Sequence, residues 1–126
     1  MQTSRPVFLE LWRIKLPLPG LVSILHRVSG VLMVLTIPFA AILLHRAAAS
    51  PEGFESAARL LDSWWVGLFL IALVWSLMHH LLAGVRHLGL DIGFGLDRPV
   101  ARFTAGIVLI AAVAASLLLL VLGVIV

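Results

Sequence analysis

The sequence has no cysteine, so disulfides, thiolate zinc sites, iron–sulfur ligation within the chain and cysteine nucleophiles are excluded. Charge is scarce: 12% of residues are Asp, Glu, Lys or Arg, against about 25% in an ordinary soluble domain. Hydrophobic residues reach 62% of the 126 positions. That proportion is too high for a water-soluble globule and leaves ample apolar surface to bury, which also excludes disorder. The length allows one domain. Nine basic residues against six acidic ones give a net charge of +3. Spread over an apolar chain they form no dense stripe, so no nucleic-acid partner is expected. They read instead as topology signals.

Three stretches free of Asp, Glu, Lys and Arg stand out: Val28 to Leu44, extended by Leu21 to Leu25; Ser63 to Val85; and Phe103 to Val126. Each approaches or exceeds the ~20 residues a helix needs to cross a bilayer core. Helices satisfy their backbone there without neighbouring strands. The expected fold is therefore an all-α membrane protein of three transmembrane helices. The boundaries read are 1–20 for an N-terminal segment, 21–45, 63–88 and 103–126 for the spans, 50–62 for an outer loop and 89–102 for an inner one. No cleaved leader is expected, since Glu10, Arg13 and Lys15 interrupt the first residues.

Arg5, Arg13, Lys15 and Arg27 lie at the near end of the first span, and Arg86, Arg98 and Arg102 flank the second loop. In the first loop, Arg46 and Arg59 are offset by Glu52, Glu55 and Asp62. The N-terminus is thus expected inside and the C-terminus outside. Within the first loop, Ser50-Pro51-Glu52 is a helix start: a capping hydroxyl, proline in the first turn, an acid at the positive end of the dipole. A short interfacial helix is expected, with Phe54, Ala58 and Leu61 on its apolar face. Trp12, Trp64 and Trp65 read as interface-belt residues, His45 and Arg46 as interfacial, and Trp75 as packing. Pro38 should kink the first helix. Gly106, Ala111, Ala112, Ala114 and Ala115 give the third span a packing role.

Ionisable groups inside a span are costly, so each is a functional candidate. Ser23, His26, Arg27 and Gly30 share one helical face. That face offers a hydroxyl, an imidazole and a fixed positive charge, with a glycine that admits something bulky. The bland alternative is an arginine reaching to headgroups beside a serine bonded to its own helix. His80, Gly84 and His87 share a second face, and His79 and Arg86 a neighbouring one. His80 lies roughly 9 Å deeper than Arg86, at about 1.5 Å per residue. A neutral imidazole at that depth needs a partner. It is either a hydrogen bond across helices or a metal, and Gly84 would let a flat macrocycle lie against the helix. Haem propionates, if present, would seek Arg27, Arg86 and His26. Under the expected topology both faces fall in the inner leaflet.

Arg5-Pro6-Val7, Ser23-Ile24-Leu25-His26-Arg27-Val28-Ser29-Gly30 and His80-x3-Gly84-x-Arg86-His87-x3-Asp91-x-Gly93 resemble the cytochrome b556-type membrane-anchor subunits of bacterial succinate dehydrogenase (complex II). The likeness extends over nearly the whole chain. It implies a subunit that pairs with a second anchor, shares one haem b with it, and docks an iron–sulfur and a flavoprotein subunit in the bacterial inner membrane. By position, the axial ligand to the haem iron falls on His80, the quinone-site residues on Ser23 and Arg27, and the propionate surroundings on His26 and Arg27, with Gly84, Arg86 and His87 nearby. His79 directly precedes His80, so either imidazole can be the ligand; the shared face with Gly84 and His87 favours His80. The implied reaction is ubiquinone reduction, with no catalysis by this chain alone. Two other readings stay open: a fumarate reductase anchor oxidising a quinol, and a non-redox scaffold. A small transporter component is disfavoured by the lack of repeats and of acidic residues inside the spans.

Overall fold

The computed structural model describes residues 15–125, with side-chain surroundings given through residue 123. Arg5, Glu10, Trp12, Arg13 and the Arg5-Pro6-Val7 element lie outside the described residues. Four helices follow one another: α1 Leu18–Ala49, α2 Pro51–Leu61, α3 Trp64–Asp91 and α4 Arg98–Ile125. No strand occurs among the described residues. The three long helices are apolar and long enough to cross a membrane.

These helices run past the charge-free stretches that announce them. The 32 residues of α1 span about 48 Å at about 1.5 Å each, well beyond a hydrocarbon core of about 30 Å. Lack of charge marks the segment that must lie in lipid; the helix itself continues into the interface on either side. Gly89 and Pro99 accordingly sit inside α3 and in the first turn of α4, not in the connection. Proline at the start costs nothing, because a first-turn amide has no helical partner anyway; Pro19 plays the same part in α1. Pro38 lies in mid-helix, where it removes one hydrogen bond, yet α1 continues to Ala49. The α3–α4 turn uses Gly93 (φ 91°) and Gly95 (φ 75°). Only glycine adopts that left-handed backbone without penalty. The Phe94 amide donates back to the Gly89 carbonyl at 2.9 Å and closes the end of α3.

The short helix α2 begins as the sequence indicates. Ser50 Oγ accepts from the Gly53 amide at 3.0 Å, and Pro51 and Glu52 occupy its first turn. The Glu52 carboxyl is held below its ordinary range by its own backbone amide and by Ser50. The side that meets α1 is a different one from its apolar face. Phe54, Ala58 and Leu61 are exposed, whereas Ala57 is buried and Gly53 lies directly on the Arg46 carbonyl of α1. Close approach to a neighbouring backbone selects the smallest side chains. The larger apolar groups, for which there is no room, point away.

The same rule builds the core. Val22 of α1, Ala83 of α3 and Ala105 and Val108 of α4 form one buried cluster, edged by Leu82 and Leu109. Ala112 and Ser116 continue the line along α4. Within the expected alanine set, Ala112 is buried, Ala111 and Ala115 are half-buried, and Ala114 faces outward. Large side chains line the outside: Phe39, Leu44 and Ile110 are each more than 70% exposed. In lipid such exposure carries no hydrophobic penalty, and helix contact comes from close packing of small residues. Trp64 and Trp65 are exposed at the start of α3. Trp75 is stacked on His79 with ring centres 5.2 Å apart.

Candidate functional site

The first turns of α1 lie antiparallel to the last turns of α3, and this brings the two polar faces into contact. The imidazoles of His26 and His80 stack with centroids 4.0 Å apart and planes 15° from parallel. His87 joins them, its ring centre 5.1 Å from that of His26. Two glycines make the approach possible. A Cβ on Gly30 would stand 3.0 Å from His80 Cε1, and one on Gly84 would stand 3.4 Å from His26 Nε2. The first is tighter than ordinary packing allows, so the ring of His80 occupies space that any other residue at position 30 would claim.

His80 Nδ1 lies 3.0 Å from the His26 carbonyl oxygen. A carbonyl only accepts, so Nδ1 carries the proton and donates. The tautomer is thereby assigned: Nε2 holds the free lone pair. No hydrogen bond engages it among the described residues. His87 Nδ1 donates in the same manner to the Ala83 carbonyl, at 2.6 Å. His26 Nε2 is buried without a hydrogen-bond partner among the described residues.

His80 faces a cavity of about 460 Å³, lined also by His26, Arg27, Gly30, Val31, Val34 and Leu35. The lining combines a nitrogen lone pair, an arginine and an aliphatic wall. A flat macrocycle that carries its own metal needs such a set: one axial donor, apolar contact over its face and a cation near its acidic edge. A bare metal ion does not fit, since no group of three or more His, Cys, Asp or Glu side chains among the described residues is arranged to hold one. The residues present therefore suit a haem.

His79 and His80 part company here. His79 is wholly buried and stacked on Trp75, and both its ring nitrogens lack a hydrogen-bond partner among the described residues. It is absent from the cavity lining, whereas His80 forms part of it. Arg27 is exposed and reaches the cavity. Ser23, one turn earlier, is half-buried and outside that lining. Arg86 turns to α4, where Nε donates to Thr104 Oγ1 at 3.1 Å and Nη2 to the Ala101 carbonyl at 3.0 Å. Two of its donors are spent on helix packing.

Sequence reading had passed over Ser29, Val31, Val34 and Leu35 as site residues. The aliphatic three carry no signal that separates them from lipid-facing residues. Ser29 does: it lies one turn from His26 and next to Gly30. A larger cavity, about 840 Å³, lies at the other end between α1, α2 and the start of α3, and is lined by none of the three clustered imidazoles.

A family model described as succinate dehydrogenase/fumarate reductase transmembrane subunit matches residues 1–119. The succinate dehydrogenase cytochrome b556 subunit of Coxiella burnetii is 39% identical over 106 residues, covering 83% of this chain and 85% of that protein. The corresponding subunit of Paracoccus denitrificans is 36% identical over 118 residues, covering 94% and 91%. The human mitochondrial cytochrome b560 subunit is 33% identical over 123 residues, covering 91% and 69%. Three apolar helices, an imidazole cluster where two of them meet and a match along almost the full length agree: the chain belongs to the succinate dehydrogenase/fumarate reductase transmembrane subunit family.

Proposed function

We propose that the chain is the haem b-binding anchor of a bacterial succinate:quinone oxidoreductase and contributes to its ubiquinone-reduction site. The observation that carries this is the fixed His80 tautomer, with Nε2 free on the wall of an apolar cavity. A bound haem b would supply one-electron transfer. His80 Nε2 would hold its iron from this chain, and a second anchor subunit on the open side of the cavity would supply the partner imidazole. His26 and Arg27 stand where the propionates are held, and Arg86 offers only the N–H groups it does not spend on α4. Gly84 and His87 complete the surroundings.

Quinone reduction to quinol consumes two electrons and two protons. Docked partner subunits with flavin and iron–sulfur centres would supply those electrons from succinate. Ser23 donates a hydrogen bond to a quinone oxygen, and Arg27 stabilises the negative charge that grows there, an effect enlarged by low dielectric. The basic residues at the His26 end favour a cytoplasmic location for that end, with the C-terminus outside. Protons then enter from the adjacent water. The relatives bear succinate dehydrogenase names, which favours this direction over quinol oxidation.

The test uses the purified complex. His80→Ala should abolish the b-type reduced-minus-oxidised spectrum; an unchanged spectrum removes the ligand from this position. Arg27→Ala should lower quinone reductase activity about 100-fold, the scale of losing one charge-stabilising donor. Succinate oxidation with an artificial acceptor should survive. Equal loss of both activities would make Arg27 an assembly residue.

A further inference from the structure

Ser29 of α1 is 1% exposed, and its hydroxyl donates to the His26 carbonyl at 2.9 Å. Taken alone, this is the common bond of a helical serine to its own preceding turn. A second distance changes its meaning. The same oxygen lies 3.3 Å from His80 Nδ1, on another helix 51 positions away. The hydroxyl has one proton, and the carbonyl takes it. What it presents to His80 is therefore a lone pair. The Nδ1 proton is shared between two oxygens, the His26 carbonyl at 3.0 Å and Ser29 Oγ.

We propose that Ser29 is a positioning residue that fixes and polarises the metal-binding imidazole of His80. This rests on the reading of His80 as the haem ligand and deepens it. A ligand imidazole whose distal N–H is drawn toward oxygen acceptors is a stronger donor through its other nitrogen. A stronger donor favours the higher charge on iron and so lowers the midpoint potential. The two acceptors also prevent the ring from turning about Cβ–Cγ, in space that the missing side chain of Gly30 leaves clear. Ser29 thus sets the electron affinity of the centre from the far side of its ligand, without touching the prosthetic group.

Redox titration of the haem in the purified complex tests this. Ser29→Ala removes only Oγ from a buried site. The haem should remain and its midpoint potential should move to a more positive value. Ser29→Cys, with a weaker acceptor, should fall between Ala and wild type. Ser116 serves as control: it is also buried and makes the same kind of bond, to the Ala112 carbonyl of α4. Ser116→Ala should leave the potential unchanged. A Ser29→Ala potential equal to the wild type, lower than it, or matched by the Ser116→Ala shift overturns the proposal. None of these results touches the assignment of His80. That assignment fails separately, if the wild-type complex has no b-type spectrum or if His80→Ala retains it.

Discussion

The helix α3 has two faces that obey opposite rules. One is closed: Ser76, His79 and Ala83 are buried, and Ala83 packs with Val22 of α1 and with Ala105 and Val108 of α4. The other is part open: His80 lines a cavity with a wall of aliphatic side chains and no cover. Adjacent histidines fall on either side of this divide. His79 is sealed in beside Trp75, and His80 is held by a carbonyl with one nitrogen to spare. A position in sequence does not make a ligand. What makes one is a donor nitrogen left free and space in front of it.

Substitutions can break that contrast, beginning with the largest effect. Gly30→Val puts a branched side chain where the His80 ring lies, since even a Cβ would stand 3.0 Å from Cε1. The b-type spectrum should be lost, whereas Gly67→Val, where nothing lies within 4 Å, should leave it intact. Equal spectra in both variants would show that the ring needs no glycine beneath it.

On the closed face the penalty should appear as stability and not as a spectral change. Ala112 is fully buried, and Ala112→Leu should destabilise the bundle by about 1–3 kcal/mol, the range for overpacking. Thermal unfolding in detergent measures it, and the haem bands of the folded fraction should not move. A shifted spectrum at unchanged melting temperature would mean that the two faces are coupled.

The smallest effects belong to the outer end. Ser50→Ala removes the cap on the Gly53 amide and should cost α2 about 1 kcal/mol, read as faster hydrogen exchange at Gly53. Acidification acts at the same place. The Glu52 carboxyl is held below its ordinary value of 4.5, so its stabilising charge is fully present above that value and is lost as pH falls through the depressed one. Exchange at Gly53 and Phe54 should quicken only below pH 4.5; acceleration already at neutral pH would remove Glu52 from the cap.

Much of this architecture was legible in the residues. The three spans follow from charge-free stretches, and the α2 start follows from Ser50-Pro51-Glu52. The meeting of His26 with His80 follows from topology, because antiparallel neighbours place an early turn of α1 beside a late turn of α3. What was not legible depends on distance between backbones. The face by which α2 meets α1, Gly53 and Ala57, carries no signal in the sequence, whereas the exposed Phe54 and Leu61 belong to the apolar face that the residues indicate. The engagement of Arg86 with Thr104 and Ala101 needs the rotation of α4, which no pattern in the third span encodes. Ser29 looked like an ordinary helical serine until the other helix was present.

The contact of Gly53 with the Arg46 carbonyl has a mechanical meaning for the opposite surface. It ties the far end of α1 to the short clasp that leads into α3, and leaves little slack between the two rods. A slip of α3 along α1 by a single turn, about 5.4 Å, would have to pull that clasp away. It would also carry His80 past the one gap in α1 that admits its ring. Lengthening the clasp by a few residues would therefore shift His80 from its seat at the opposite end of the bundle without altering any atom near it.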